Sequence, residues 1–161
     1  MSAAAKSSQK PLRVAVGGDH GGFSLKTKVV EWLRQAGLEV ADMGTHSEES
    51  CDYPVIAEKV ARAVAAGEFD RGVLLCKTGI GIAIAANKVS GIRAGVCGDE
   101  MDAERSRGHN DTNVLVLGAE KLASAKAKKI LDVWFATPFE GGRHERRVKQ
   151  IEEIERRNGK S

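Results

Sequence analysis

With 161 residues, 42% of them apolar, the chain has the length of one domain and enough apolar content to bury a core. Its 25 Lys and Arg against 22 Asp and Glu give a formal charge of +3 with the signs mixed along the chain, which argues against nucleic-acid binding, a function that needs a basic patch or stripe. No apolar run approaches the roughly 18–20 residues that cross a bilayer, so no membrane partner is expected.

Residues 1–10 are polar and rich in small side chains, without the apolar stretch of a secretory signal, and read as a disordered tail ahead of a single domain at 11–161. From there short apolar runs alternate with helical patterns, the signature of βαβ units around a parallel sheet. Residues 12–17 form the first strand. After a Gly-rich turn, Leu25, Val29, Trp32, Leu33 and Ala36 recur at helical spacing, and Gly37 ends that helix. Residues 38–43 are a second strand and 44–52 a polar loop. Pro54 then opens a helix whose apolar face is Ile56, Ala57, Val60 and Val64. A turn at 67–72 leads to a wholly apolar third strand at 73–76, as expected of a strand covered on both faces. A loop at 77–81 precedes a helix running to about Asn87.

A fourth strand is expected at 92–96, a short helix at 99–107, a fifth strand at 113–117 and a helix from about Ser124 to Phe135. Past Pro138 and the Gly141-Gly142 break, a charged terminal helix spans 143–158. Its thin apolar stripe, Val148, Ile151 and Ile154, suits docking on a neighbouring subunit. The fold class is therefore α/β: a three-layer α/β/α, doubly wound Rossmann-like sheet of about five parallel strands plus a C-terminal helix.

In such sheets, sites form beyond the carboxyl ends of the strands. Three segments are expected to meet there: Gly17-Gly18-Asp19-His20-Gly21-Gly22 after the first strand, Cys76-Lys77-Thr78-Gly79-Ile80-Gly81 after the third, and His109-Asn110-Asp111 just before the fifth. Taken alone, Cys76 reads equally well as a small buried hydrophobe. Its distinguishing mark is the Gly-rich turn on its carboxyl side that opens a helix, whose N-terminal partial charge, with Lys77 adjacent, favours the thiolate a general base needs. Cys51 and Cys97 lack such surroundings, and three cysteines without a C-x-x-C pair suit a reducing, cytoplasmic setting.

The glycines of Thr78-Gly79-Ile80-Gly81 let a ligand approach main-chain N–H groups. Ile84 stands where a dinucleotide fingerprint wants its third small residue, and no Walker motif occurs, so no NAD or ATP cofactor is expected. The four histidines have no ligand spacing, so no metal is expected. Asp19-His20 pairs an acid with a base, although Asp19 also reads as a helix cap. His109-Asn110-Asp111 reads equally as a self-satisfied turn. Arg143 and Arg147, one turn apart beside His144 and Arg146, are either a solvated face or a phosphate clamp.

The ordered set Gly18-Asp19-His20, Asp52-Tyr53-Pro54, Cys76-Lys77-Thr78-Gly79-Ile80-Gly81, Ala85-Ala86-Asn87-Lys88, Gly91-Ile92-Arg93-Ala94, Ser106-Arg107-Gly108-His109-Asn110-Asp111 and Glu140-Gly141-Gly142-Arg143-His144 closely resembles the ribose-5-phosphate isomerase type B family, over about residues 12–158. The resemblance implies cofactor- and metal-free interconversion of ribose 5-phosphate and ribulose 5-phosphate, a step of the pentose phosphate pathway, through a cis-enediolate. It implies that Cys76 moves the proton between C2 and C1. The amides of Gly79, Ile80, Gly81 and Ile82, with the Thr78 hydroxyl, would hold the enediolate oxygen. His109 would open the furanose ring, Asp19 and Asn110 would hold sugar hydroxyls, and His20, Arg143 and Arg147 would grip the phosphate. It further implies a homodimer or homotetramer with the site between subunits and the His-Asn pair supplied by the partner. Two positions depart from the family pattern. Lys77 stands where Gly is usual and either crowds the anion hole or further favours the thiolate. Glu120 stands where many members have a basic residue, with Lys121 next to it. Both leave open a six-carbon aldose phosphate, such as allose or galactose 6-phosphate, as substrate. The less favoured classes are a non-catalytic sugar-phosphate-binding protein and a flavodoxin-like regulator.

Overall fold

The computed structural model describes residues 9–159, so residues 1–8 of the expected tail and residues 160–161 lie outside the described residues. Strands and helices alternate: β1 (Arg13–Gly18), α1 (Phe23–Gln35), β2 (Glu39–Asp42), α2 (Tyr53–Ala65), β3 (Arg71–Cys76), α3 (Ile80–Ala86), β4 (Ala94–Val96), α4 (Glu100–Gly108), β5 (Val114–Gly118), α5 (Ser124–Ala136) and α6 (Arg143–Asn158). The five strands form one parallel sheet in the order β2-β1-β3-β5-β4.

Strand residues alternate between two cores, which makes the three layers. Val14, Val16, Val73, Leu75, Leu115 and Leu117 face α1 and α5, where Leu25, Val29, Ile130 and Trp134 are buried. Ala15, Leu74, Cys76, Val114 and Val116 face α2 and α3, against Ala57, Val60, Ile82 and Ala86. Each fully buried Val, Leu or Ile contributes about 1.5–3 kcal/mol.

The expected elements are all present, with shifted ends. β3 starts two residues early because Arg71 and Gly72 pair with Val14 and Ala15 of β1. β4 is shorter than expected because the Arg93 N–H donates to the Asn113 side chain (2.8 Å) before the ladder begins. Asp99 caps α4, accepting from the Asp102 N–H at 2.8 Å, so the helix proper begins at Glu100.

A buried lysine sits against the first core. Lys26, 1% exposed, places its ammonium 2.7 Å from both carboxylate oxygens of Asp42 at the end of β2, and the Gly44 N–H donates to the same carboxylate at 3.0 Å. Burial alone would push the Asp42 carboxyl up, but the Lys26 hydrogen bond and the Gly44 N–H together hold it below the ordinary value. A carboxyl lowered on folding stabilises above its unfolded value of about 4 and loses that contribution as pH falls through the folded one. Lys26→Met should cost about 2 kcal/mol in urea denaturation at pH 7, and the cost should shrink below pH 4. A cost that holds steady to pH 3 would contradict the ion-pair account.

Candidate active site

β1 and β3 are neighbours in the sheet, with Gly18 level with Leu75, so the loops after them share one crevice. Cys76 is the last residue of β3, 5% exposed, and its Sγ accepts the Gly79 N–H at 3.2 Å. That turn needs glycine at Gly79: its φ is +81°, and a Cβ would stand 3.2 Å from Val96 Cγ1 and 3.3 Å from the Gly118 N. The Thr78 Oγ1 accepts the Ile80 N–H at 3.2 Å, which leaves its O–H to donate. Of the four amides expected to face an oxyanion, those of Gly79 and Ile80 are thus engaged within the loop. The N–H groups of Gly81 and Ile82, in the first turn of α3, have no partner among the described residues.

Asp19 is 5% exposed, and its Oδ1 accepts the Gly22 N–H at 3.1 Å, so it does brace the start of α1. The Cys51 N–H donates to His20 Nδ1 at 3.2 Å, which in the neutral ring puts the proton on Nε2. The Tyr53 ring lies over the start of α3: a Cβ on Gly81 would stand 2.6 Å from its Cζ. The Lys77 side chain runs against Gly21, where a Cβ would collide with its Cγ, so it extends toward the Asp19 turn. Glu120 is exposed and joined to that loop through its N–H, which donates to the Lys77 carbonyl at 3.0 Å.

His109 and Asn110 do not join this crevice on their own chain, so the three segments do not meet within one copy. They come after α4 and precede β5, so in a parallel sheet they lie at its amino edge. Val114 is level with Gly72 and Gly118 with Cys76, and the four residue-to-residue steps between those levels separate the two edges by about 13 Å. Arg93 ties the segment down, its guanidinium Nε donating to the carbonyls of Asn110 (3.1 Å) and Asp111 (3.0 Å) and its Nη2 pairing with the Asp111 carboxylate at 3.2 Å. Arg107, 5% exposed, holds Asp111 from the other side at 2.9 Å.

The start of α6 packs at this same edge. The buried His144 ring lies flat on His109, with ring centres 4.1 Å apart and planes within 6°. Arg143 and Arg147 flank it, exposed and in no ion pair among the described residues. His109, Glu140 and His144 bring one ligand atom each within 4.8 Å of one another. Parallel stacked rings aim their in-plane lone pairs side by side rather than at one point, which suits a shared carboxylate better than a chelated ion. The site residues therefore fall into two sets on one chain. Asp19, His20, Cys76, Thr78 and Gly79–Ile82 lie at the carboxyl edge; His109, Asn110, Arg143 and Arg147 lie at the amino edge.

The sequence profile of the Ribose/Galactose Isomerase family matches residues 14–151. The chain belongs to this family. It is 52% identical over 145 residues to "Ribose-5-phosphate isomerase B" of Escherichia coli, covering 90% of this chain and 97% of that protein. A solved structure of Clostridium thermocellum ribose-5-phosphate isomerase B superposes with a TM-score of 0.91 at 49% identity, covering 92% of this chain and all of that one. The "D-erythrulose-4-phosphate isomerase" of Pectobacterium atrosepticum is 40% identical over 141 residues, covering 87% of this chain and 93% of that protein.

Motif reading gives no role to Glu140, His144, Arg93 or Tyr53, all of which touch or brace site residues. The i, i+4 spacing of Glu140 and His144 is the available signal. Cys97 belongs to neither set: burial pushes its thiol up to about 11, with Ser106 opposing only in part. At pH 7.5 it is ionised to well under about 0.1%. Iodoacetamide treatment of the native protein at that pH should leave the Cys97 peptide unmodified by mass. A stoichiometric adduct there would contradict its burial.

Proposed function

We propose that this protein interconverts D-ribose 5-phosphate and D-ribulose 5-phosphate through a cis-enediolate, with Cys76 as the base and each site assembled from two copies of the chain. The single observation that carries the two-copy reading is the separation of Cys76 and His109 on opposite edges of one sheet. The relatives named for ribose 5-phosphate carry the choice of sugar. A homodimer related by a two-fold axis brings the carboxyl edge of one copy to the amino edge of the other, twice over. Exposed Ile80 (54%), Ile84 (58%) and Val96 (44%) form an apolar surface beside the Cys76 loop that a second copy would cover. Ile151 and Ile154 line an open groove of about 820 Å³ beside β4, which suits a further subunit.

The chemistry is a proton transfer without net redox change. In the open-chain aldose, the Cys76 thiolate removes the proton on C2. The freed pair forms the C1–C2 double bond, and the carbonyl pair moves onto O1. The Gly81 and Ile82 N–H groups and the Thr78 O–H stabilise that oxyanion. The O2 proton passes to O1, the thiol returns its proton to C1, and O2 becomes the ketone oxygen. His109 of the partner subunit opens the furanose, and Arg143 and Arg147 of that copy, with His20 of the first, hold the phosphate. Asp19 Oδ2 and Asn110 bind hydroxyls. No metal takes part, and the reducing setting that keeps Cys76 a thiol is cytoplasmic.

Purified protein in EDTA should turn over ribose 5-phosphate with kcat/KM at least about tenfold above that for allose 6-phosphate or D-erythrulose 4-phosphate. Cys76→Ala should abolish turnover while retaining the fold by circular dichroism. A preference for a four- or six-carbon sugar would overturn the substrate assignment, and an active Cys76→Ala would overturn the base.

A further inference from the structure

We propose that His144 is a positioning residue for His109: its buried ring is the flat wall against which the His109 ring is held, with Glu140 fixing the edge of both. The inference rests on His109 being the ring-opening group proposed above.

His109 sits just past α4 on a chain turn and is 35% exposed in its side chain, so on its own it is free to take several orientations. Two contacts restrict that freedom. His144, 6% exposed, covers one whole face at 4.1 Å. The Glu140 carboxylate faces the Nε2 edges of both rings, at 3.7 Å from His109 and 3.4 Å from His144. Glu140 is itself tied to the end of α4, where its N–H donates to the Gly108 carbonyl at 3.0 Å. His109 Nδ1 has no partner among the described residues and is the nitrogen left to serve a ligand. Burial and the neighbouring His109, with Arg143 and Arg147, push the His144 ring below the ordinary imidazole value against the pull of Glu140. A neutral His144 can stay stacked when His109 takes up a proton, since two cations are not forced together.

The flat wall matters for one step only. Opening the furanose breaks the bond between C1 and the ring oxygen, takes a proton from the C1 hydroxyl and delivers one to the ring oxygen, with no redox change. Proton transfer of this kind tolerates little misplacement of the imidazole, and a shift near 1 Å costs about a hundredfold. D-Ribulose 5-phosphate needs no such step: its C5 oxygen carries the phosphate, so the ketose cannot close a furanose and enters open.

The test compares initial rates in both directions for wild type, His109→Ala, His144→Ala and His144→Phe, each checked for fold by circular dichroism. Because the equilibrium constant fixes the ratio of kcat/KM in the two directions, the readout is kcat at saturation: His144→Ala should lower kcat on ribose 5-phosphate about 10- to 100-fold and leave kcat from ribulose 5-phosphate within about threefold. His144→Phe, which keeps a flat ring, should recover most of the loss. If His144→Ala does not fold, His144→Leu, which fills the space without a flat face, carries the same expectation. Full aldose activity in the Ala or Leu variant, equal loss in both directions, or no rescue by Phe would each overturn the proposal. Absence of directional bias in His109→Ala refutes the ring-opening reading itself, and the inference with it. The two failures appear in different variants.

Discussion

Parallel pairing gives every strand of this sheet the same direction, so the loop leaving a strand and the loop entering one lie on opposite edges. β1, β3 and β5 obey that rule side by side, and it dictates how the chemistry is distributed along the chain. Cys76 and the glycine-rich loop after it follow the end of a strand; His109 sits before one, with the start of α6 packed beside it. One copy thus carries its two sets of candidate site residues at opposite edges of the sheet. In the two-copy reading proposed above, a two-fold axis would complete both sets at once and so tie activity to association.

The two halves also differ in how they are held. The carboxyl-edge half is rigid through its backbone: Gly79 in a left-handed turn, the Gly79 N–H on sulfur, and the loops after β3 and β5 joined by the Ala119 N–H to the Cys76 carbonyl at 2.8 Å. The amino-edge half is held by side chains. Arg93 and Arg107 grip Asp111, Arg93 also reaches Glu152 on α6 at 3.3 Å, and the two stacked imidazoles close the corner. In the proposed reading, main-chain hydrogen bonds would suit a cradle that presents N–H groups to a developing charge, and ionic side chains a surface that meets both a phosphate and another subunit.

Most of the layering is legible in the sequence, because a fully buried strand such as 73–76 and an amphipathic helix such as α2 differ in period. The glycine-rich turn after β3 is legible too, since its glycines stand between an apolar strand and a helical pattern. The place of His109 is where motif reading errs, although the strand order needed to correct it is implicit: a residue just before a parallel strand belongs to the far edge. The stacking of His144 on His109 leaves no local trace, because it depends on where α6 docks after the Gly141-Gly142 break. Lys26 likewise lies beside Leu25 in a pattern that does not mark it as buried. Only the arrival of Asp42 at the end of the neighbouring strand makes that burial tolerable.

The central claim is that each active site takes its sulfur from one chain and its imidazole from another. Co-expressing Cys76→Ala and His109→Ala chains under different affinity tags, and purifying the mixed dimer through both, puts it to the test. Each single variant has no intact site, but the mixed dimer has one of two, so it should show about half the wild-type activity on ribose 5-phosphate per dimer. A mixed dimer no more active than its parents would contradict a shared site.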